Sequence, residues 1–228
     1  MSRYIEVMVI VEGKTEEMFV KLLLAPYLRS KNIFMHATQV SKTGQKGGDV
    51  KFSRIKNDLR LHLKQRSDTY VTTLVDYYGV KEWPGLDAVP PRATPAQIAQ
   101  VVNGATKARI EALFADQRAD YRFIPYMAIH EFESLLFSNS TVLAEELNID
   151  QETVDAVLRR FGEPEAINNS RQTAPSKRLD QWHPDGEFPK TTMGIAIAKE
   201  IGIPTMREMC PLFNKWLTTL ETIQEGLE

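Results

Sequence analysis

The chain has 228 residues, 43% of them hydrophobic and 25% charged, and a formal net charge of −2. This balance fits one large globular domain, or one with a small appendage, and excludes a broadly basic nucleic-acid coat, though not a local basic groove. A single cysteine, Cys210, excludes an internal disulfide and a cysteine-cage zinc site and points to a reducing cytoplasm, and no apolar run reaches the length of a membrane span.

Tyr4 to Glu17 sets the pattern for the rest. Ile5 to Val11 is apolar apart from Glu6 and mostly β-branched, as in a strand buried on both faces. Glu6 also interrupts the apolar run that a signal peptide would need. The run stops at Glu12-Gly13, and a helical pattern predicted over about Thr15 to Leu28 follows, with Pro26 set to kink or end it. Glu12 therefore stands at the carboxyl end of a central strand, the edge where open α/β sheets bind ligands. Glu16 and Glu17 lie in the first helical turn, where the helix dipole alone favours acids, but a strand end gains nothing from Glu12. Gly13-Lys14-Thr15 is not a P-loop, because that motif needs a glycine at the position of Met8.

Ile33 to Val40 is a predicted second strand, and Ser41 to Asp49 a flexible loop carrying Lys42 and Lys46. A helix with Phe52, Ile55, Leu59 and Leu63 on one face follows. Lys51, Arg54, Lys56, Arg60, Lys64 and Arg66 decorate it. Lysines among glycines suit a loop that wraps a phosphate backbone, and the basic helix extends that surface. A solvated helix face explains the same charges without a ligand.

Tyr70 to Val75 repeats the first pattern, a buried strand ending in an acid, Asp76. Parallel neighbours would bring Asp76 beside Glu12. Trp83 to Pro95 is a Pro-rich loop expected over the edge of the site, and Pro95 to Phe114 a helix. Tyr121 to Ile129 is a strand broken or bent at Pro125, running into His130-Glu131-Phe132-Glu133. Glu131 and Glu133 share a face only where the backbone stays extended, and Glu131 is the expected inward acid with Glu133 close behind. Zinc chemistry fails on spacing: the protease motif needs a second histidine where Ser134 stands, and the deaminase motif needs a cysteine pair. Helices are predicted over Ser138 to Phe161, Thr192 to Ile201 and Met206 to Leu220.

Val11-Glu12-Gly13-Lys14-Thr15-Glu16 resembles the opening motif of Toprim domains, in the form found in overcoming-lysogenization-defect (OLD) nucleases. Several stretches together resemble the DUF4276 family, a Toprim-like group related to them. They are the opening motif, Val75-Asp76-Tyr77-Tyr78-Gly79, His130 to Phe137, Thr173 to Arg178 and Cys210-Pro211-x-Phe213-x-x-Trp216. They span nearly the whole chain in order. The resemblance implies an α/β fold with a mostly parallel Toprim/Rossmann-like sheet flanked by helices over residues 1–137. Residues 138–228 would form a helical C-terminal part completing the site in one compact unit.

Toprim domains usually carry Asp-x-Asp where this chain has Asp76-Tyr77-Tyr78, so Tyr78 replaces the second acid and Glu82 is a candidate substitute. The resemblance implies Mg²⁺ or Mn²⁺ held by Glu12, Glu16, Asp76, Glu131 and Glu133, as hard carboxylates without a cysteine or histidine cluster also suggest. Lys190, placed like the late lysine of OLD-type domains, and then Lys177 would neutralise charge on a phosphate in the transition state. Lys42, Lys46, Lys51, Arg54, Lys177 and Arg178 are the candidate nucleic-acid contacts. The expected activity is metal-dependent cleavage of DNA or RNA in the cytoplasm. A separate ATPase in antiphage defence is the implied partner, since no ATPase motif is present, and a homo-oligomer is compatible with the chain. The alternative is a catalytically weak, nucleic-acid-binding or regulatory subunit with the same fold. Primase-like polymerisation lacks an accompanying helicase or zinc-ribbon segment.

Overall fold

A computed structural model describes residues 4–41, 50–167 and 172–225. The apolar run Ile5–Val11 forms β1, with Val7, Val9 and Val11 buried against one face of the sheet and Ile10 against the other. Helix α1 (Lys14–Phe19) continues through a widened turn, Val20–Leu24, into α2 (Ala25–Arg29). Pro26 neither ends nor breaks this run. The adjustment comes just before it, where the Ala25 N–H donates five residues back to the Val20 carbonyl. A proline lacks an N–H and its ring crowds the carbonyl four residues earlier, so a wider turn at that point removes the conflict.

β2 (Ile33–Gln39), α3 (Phe52–Gln65) and β3 (Thr69–Asp76) follow as their periodicities predict. The Pro-rich stretch after β3 stays irregular except for a short turn, Leu86–Ala88. It is anchored on the helices, with the Trp83 ring 5.6 Å from Phe52 and Trp83 Nε1 donating to Thr106 Oγ1 at 2.8 Å. Helix α4 (Pro95–Leu113) opens with a capping box between Thr94 and Gln97. α5 (Ala119–Arg122) leads into β4 (Phe123–Ile124) and β5 (Met127–Ala128). These two short pieces are the strand expected to break at Pro125. Thr73 closes the gap, its hydroxyl donating to the Tyr126 carbonyl at 2.8 Å and accepting from the Tyr126 N–H at 3.2 Å.

The sheet order is β2-β1-β3-β4, with β5 also on β3, and every pairing is parallel. The remaining helices are α6 (Ser140–Leu147), α7 (Gln151–Phe161), α8 (Pro175–Trp182), α9 (Ile195–Ile201), α10 (Ile203–Met209) and α11 (Pro211–Glu225). The single helix expected from Met206 to Leu220 is therefore two. Pro211 holds Cys210 extended and starts α11 at a position that needs no N–H. One apolar cluster joins α1, α2 and helices α6 to α11 to β1 and β3, and a second lies under α3 and α4 on the other face. The C-terminal helices reach the middle of the sheet: Trp216 stacks on Tyr126 at 4.3 Å and donates to Thr72 Oγ1 at 2.9 Å. Among the described residues, no helix is long and apolar enough to cross a membrane.

Glu165 caps α11 from a distance. Its buried carboxylate accepts from the Leu212 N–H at 2.8 Å and the Phe213 N–H at 3.0 Å, two donors that the first turn of a helix cannot satisfy by itself. Glu165→Ala is expected to lower the unfolding free energy by about 1–3 kcal/mol, read as an earlier urea midpoint with an unchanged slope.

Candidate metal-binding site at the strand ends

β1 and β3 run in parallel with Val11 opposite Leu74, so their chains leave the sheet side by side. The Glu12 N–H extends the ladder by one step to the Leu74 carbonyl at 3.3 Å. Its side chain turns back across the gap, Oε2 accepting from the Asp76 N–H at 3.3 Å. Asp76 Oδ1 in turn accepts from the Phe132 N–H at 3.0 Å, which ties β3 to the segment after β5. Glu16 folds back over the turn and takes the Gly13 N–H on Oε2 at 2.9 Å. Gly13 permits this approach, because a Cβ there would lie 3.3 Å from that oxygen.

The third segment turns sharply at His130, whose φ of 75° is left-handed, and Glu131 is extended before the tight turn Phe132–Ser138. Glu131 and Glu133 are both buried, at 5% and 3% exposure. They face different partners. Glu131 accepts from the Ser176 N–H at 2.8 Å and Ser176 Oγ at 2.9 Å, at the start of α8. Glu133 receives Lys190 Nζ at 2.5 Å. Lys190 opens the turn Lys190–Gly194 that leads into α9.

The resulting electrostatics are those of like charges held out of water. Burial pushes Asp76 well above the usual carboxylate range, and Glu16, Glu133, Glu12 and Glu131 push it further, in that order. Burial raises Glu16 to about 7, with Glu133 and Glu12 adding to it and the N–H bonds opposing. Glu131 is also raised, by burial and then by Glu133, against its two Ser176 bonds. Burial disfavours the Lys190 charge, but Glu133, Glu131 and Asp76 outweigh it, so the ammonium is held charged.

The sequence-predicted residues divide clearly. Glu12, Glu16, Asp76, Glu131, Glu133 and Lys190 form one connected group through these bonds and fields. Glu82 does not join it. Its side chain is 68% exposed and lies 3.9 Å from Lys51. Glu17 is a surface ion-pair residue, lowered to about 2 by Lys21, Gln39 and Lys14. Arg54 is half-buried on α3. Lys177 is exposed, binds Asp180 at 2.9 Å, and feels both Lys190 and Glu131. Arg178 donates to the Thr173 carbonyl at 3.0 Å and lies over the Phe161 ring. Lys42 and Lys46 fall outside the described residues. Ser176, inside the stretch Thr173 to Arg178, joins the site through Glu131. Pro175 signals a helix start locally, but a partner 45 positions away leaves no local trace.

Among the described residues, no three histidine, cysteine or acidic side chains are gathered as a ready-made metal cage. The donor set nonetheless fits a hard divalent cation: oxygen ligands of one sign, with burial and the neighbouring acids disfavouring the charge on Asp76 and Glu16. Glu12, Glu16, Asp76 and Glu133 are the residues that would hold it. Glu131, the fifth predicted ligand, shares its oxygens with Ser176 at the start of α8, as Glu133 shares its own with Lys190.

A family model described as "Domain of unknown function (DUF4276)" matches residues 11–221. No functionally curated protein matches the chain. Two solved structures are similar, both of the C-terminal region of the Xanthomonas campestris pv. campestris OLD protein. The one phased with iodine is 16% identical with a TM-score of 0.43, covering 96% of this chain and 94% of that one. The one phased with mercury is 14% identical with a TM-score of 0.42, covering 96% and 95%.

The raised Glu16 makes a prediction for the metal-free protein. The native state holds the Glu16 proton up to about pH 7, whereas an unfolded glutamate releases it near 4.5. Stability is therefore expected to fall as pH rises through that window, by up to about 3 kcal/mol from this group. Glu16→Gln keeps an acceptor for the Gly13 N–H. It is expected to flatten that part of the pH–stability curve and to raise the melting temperature at pH 8 in the presence of EDTA.

Proposed function

The chain belongs to the DUF4276 family, and from its site we propose a Mg²⁺- or Mn²⁺-dependent nuclease of the Toprim/OLD type, hydrolysing phosphodiester bonds of DNA or RNA. The observation that carries the reading is the group of crowded carboxylates at the carboxyl ends of β1 and β3, half-buried at Glu12 and Asp76 and buried at Glu16, Glu131 and Glu133. Such a group is costly for a fold to maintain unless a cation relieves it. Lys190 beside Glu133 supports the same reading, since a phosphodiester brings negative charge to the same edge.

When bound, the cation would polarise the phosphate and lower the pKa of a water molecule. The protein's own groups do the rest. Glu12 and Asp76 fix the donor positions, because each is clamped to backbone of a neighbouring segment. Glu16 and Glu133 complete the oxygen set and orient water. Lys190 stabilises charge that grows on the phosphate oxygens. Glu131, bound to Ser176, holds α8 and its Lys177 at the rim of the site. A separate ATPase would supply any nucleotide-driven control in antiphage defence.

A second reading, a regulatory or nucleic-acid-binding subunit with a lapsed site, is favoured by Tyr78 in place of a second acid and by the absence of a ready-made cage among the described residues. Metal binding separates the two.

Cleavage of a panel of plasmid, single-stranded DNA and transfer RNA is the test, run with Mn²⁺, Mg²⁺ or chelator. Wild type is expected to cut only with metal, and Asp76→Asn to lose both cutting and calorimetric Mn²⁺ binding while remaining folded. Full cutting by Asp76→Asn would sink the nuclease reading, and a wild type that binds no metal would favour the regulatory one. Lys190→Ala is expected to bind Mn²⁺ normally but to cut about 100-fold to 1,000-fold more slowly, as loss of a positioned charge does elsewhere.

A further inference from the structure

The opposite edge of the sheet carries a second feature that the carboxylate site does not use. A half-open cavity of about 450 Å³ lies at the amino ends of β1 and β3, lined in part by Tyr4, Glu6, Asp68, Tyr70, Arg118 and Tyr121. β1 is seven residues long, which puts this cavity roughly 20 Å from the carboxylates. Single exposed aromatics are ordinary, but here two flank one cavity: Tyr4 is 57% exposed and Tyr121 47%. Each is braced from behind. Tyr121 packs on the buried Tyr70 at 5.4 Å, and Tyr4 meets Phe34 edge-on at 5.4 Å.

An arginine flanks each of these ring pairs, and of the two Arg118 lines the cavity. Arg118 lies 5.9 Å from the Tyr121 ring centre and Arg29 5.8 Å from that of Phe34. Most of the other polar groups are internally bonded. Glu6 meets His36 at 2.8 Å, and Asp68 takes two bonds from Arg66 at 3.0 and 2.9 Å. Arg122 is buried and spends its donors on carbonyls, including those of Leu63, Thr69 and Gln117. Besides the Tyr121 ring, Arg118 meets Asp120 at 3.5 Å on exposed surface, a pairing worth little. Its backbone is left-handed, with φ at 55°, a conformation an arginine adopts only under strain.

We infer that this cavity binds a nucleotide, the base stacked between Tyr4 and Tyr121 and the phosphate on Arg118. Exposed rings backed by other rings and flanked by guanidinium groups form a stacking platform, and any base presents a π-face to it. The same chemistry can arrive as a free mononucleotide or as an unpaired base of a single strand. The inference is independent of the nuclease reading, because it uses none of the carboxylates.

The experiment is calorimetric titration of the whole chain in EDTA with AMP, with CMP and with a short single-stranded oligonucleotide. Wild type and Asp76→Asn are expected to bind alike. Tyr121→Ala and Arg118→Gly are expected to bind about tenfold or more weakly. Glycine accepts the left-handed conformation, so Arg118→Gly should keep or raise the melting temperature, which separates lost binding from lost folding. Binding of mononucleotides identifies a free nucleotide as the ligand, and binding of the oligonucleotide alone identifies a single strand. Absence of saturable binding by any probe, binding by both cavity variants as tight as by wild type, or binding lost in Asp76→Asn would overturn the inference.

Discussion

Mutual repulsion among buried carboxylates is the constraint around which this fold is arranged. Asp76 alone is pressed by four other acids. What keeps them in place is a set of backbone donors and one cation, each from a different part of the chain. Asp76 N–H holds Glu12, Phe132 N–H holds Asp76, Gly13 N–H holds Glu16, α8 holds Glu131, and Lys190 holds Glu133. The parallel register of β1 against β3 is the precondition for all of them, since it brings Glu12 and Asp76 to one edge. A one-residue slip of either strand would turn its own side chains to the other face and change how the two acids meet.

Much of this arrangement is legible in the sequence, and the reason is local. A strand buried on both faces writes itself as an apolar run, and an acid at its end stands out because nothing local explains it. The two acids recur at nearly the same structural position, so parallel pairing brings them to one edge, and the Glu12 side chain closes the remaining gap. Helix breaks are less local. Pro26 and Pro211 announce the same local defect, yet one is absorbed by a widened turn and the other divides two helices. The outcome depends on what the flanking turns pack against, which no window of sequence contains.

Partners far apart in sequence are the part that could not be read. Ser176 on Glu131, Glu165 on α11 and Thr73 across the β4–β5 break are side-chain substitutes for backbone bonds that the chain cannot otherwise make. Each is an ordinary polar residue in its own neighbourhood. Tyr78 shows the reverse case, an apparent vacancy in a motif. Glu16 and Glu133 crowd Asp76 more strongly than any other acids, whereas Glu82 stays on the surface.

The reach of α11 into the sheet bears on how the protein is made. Trp216 stacks on Tyr126 and bonds Thr72, so the last helix is a wall of the same core that β3 begins. A chain emerging from the ribosome through β5 already displays Glu12, Glu16 and Asp76, but Ser176, Lys190 and Trp216 have yet to be synthesised. The acid cluster then lacks both its cation and its tether, and the apolar face of β3 lies open. Translation thus separates the birth of the chemical groups from their assembly by the length of six helices. In that interval the carboxylate group is unassembled, and the uncovered sheet is the surface that a chaperone would recognise.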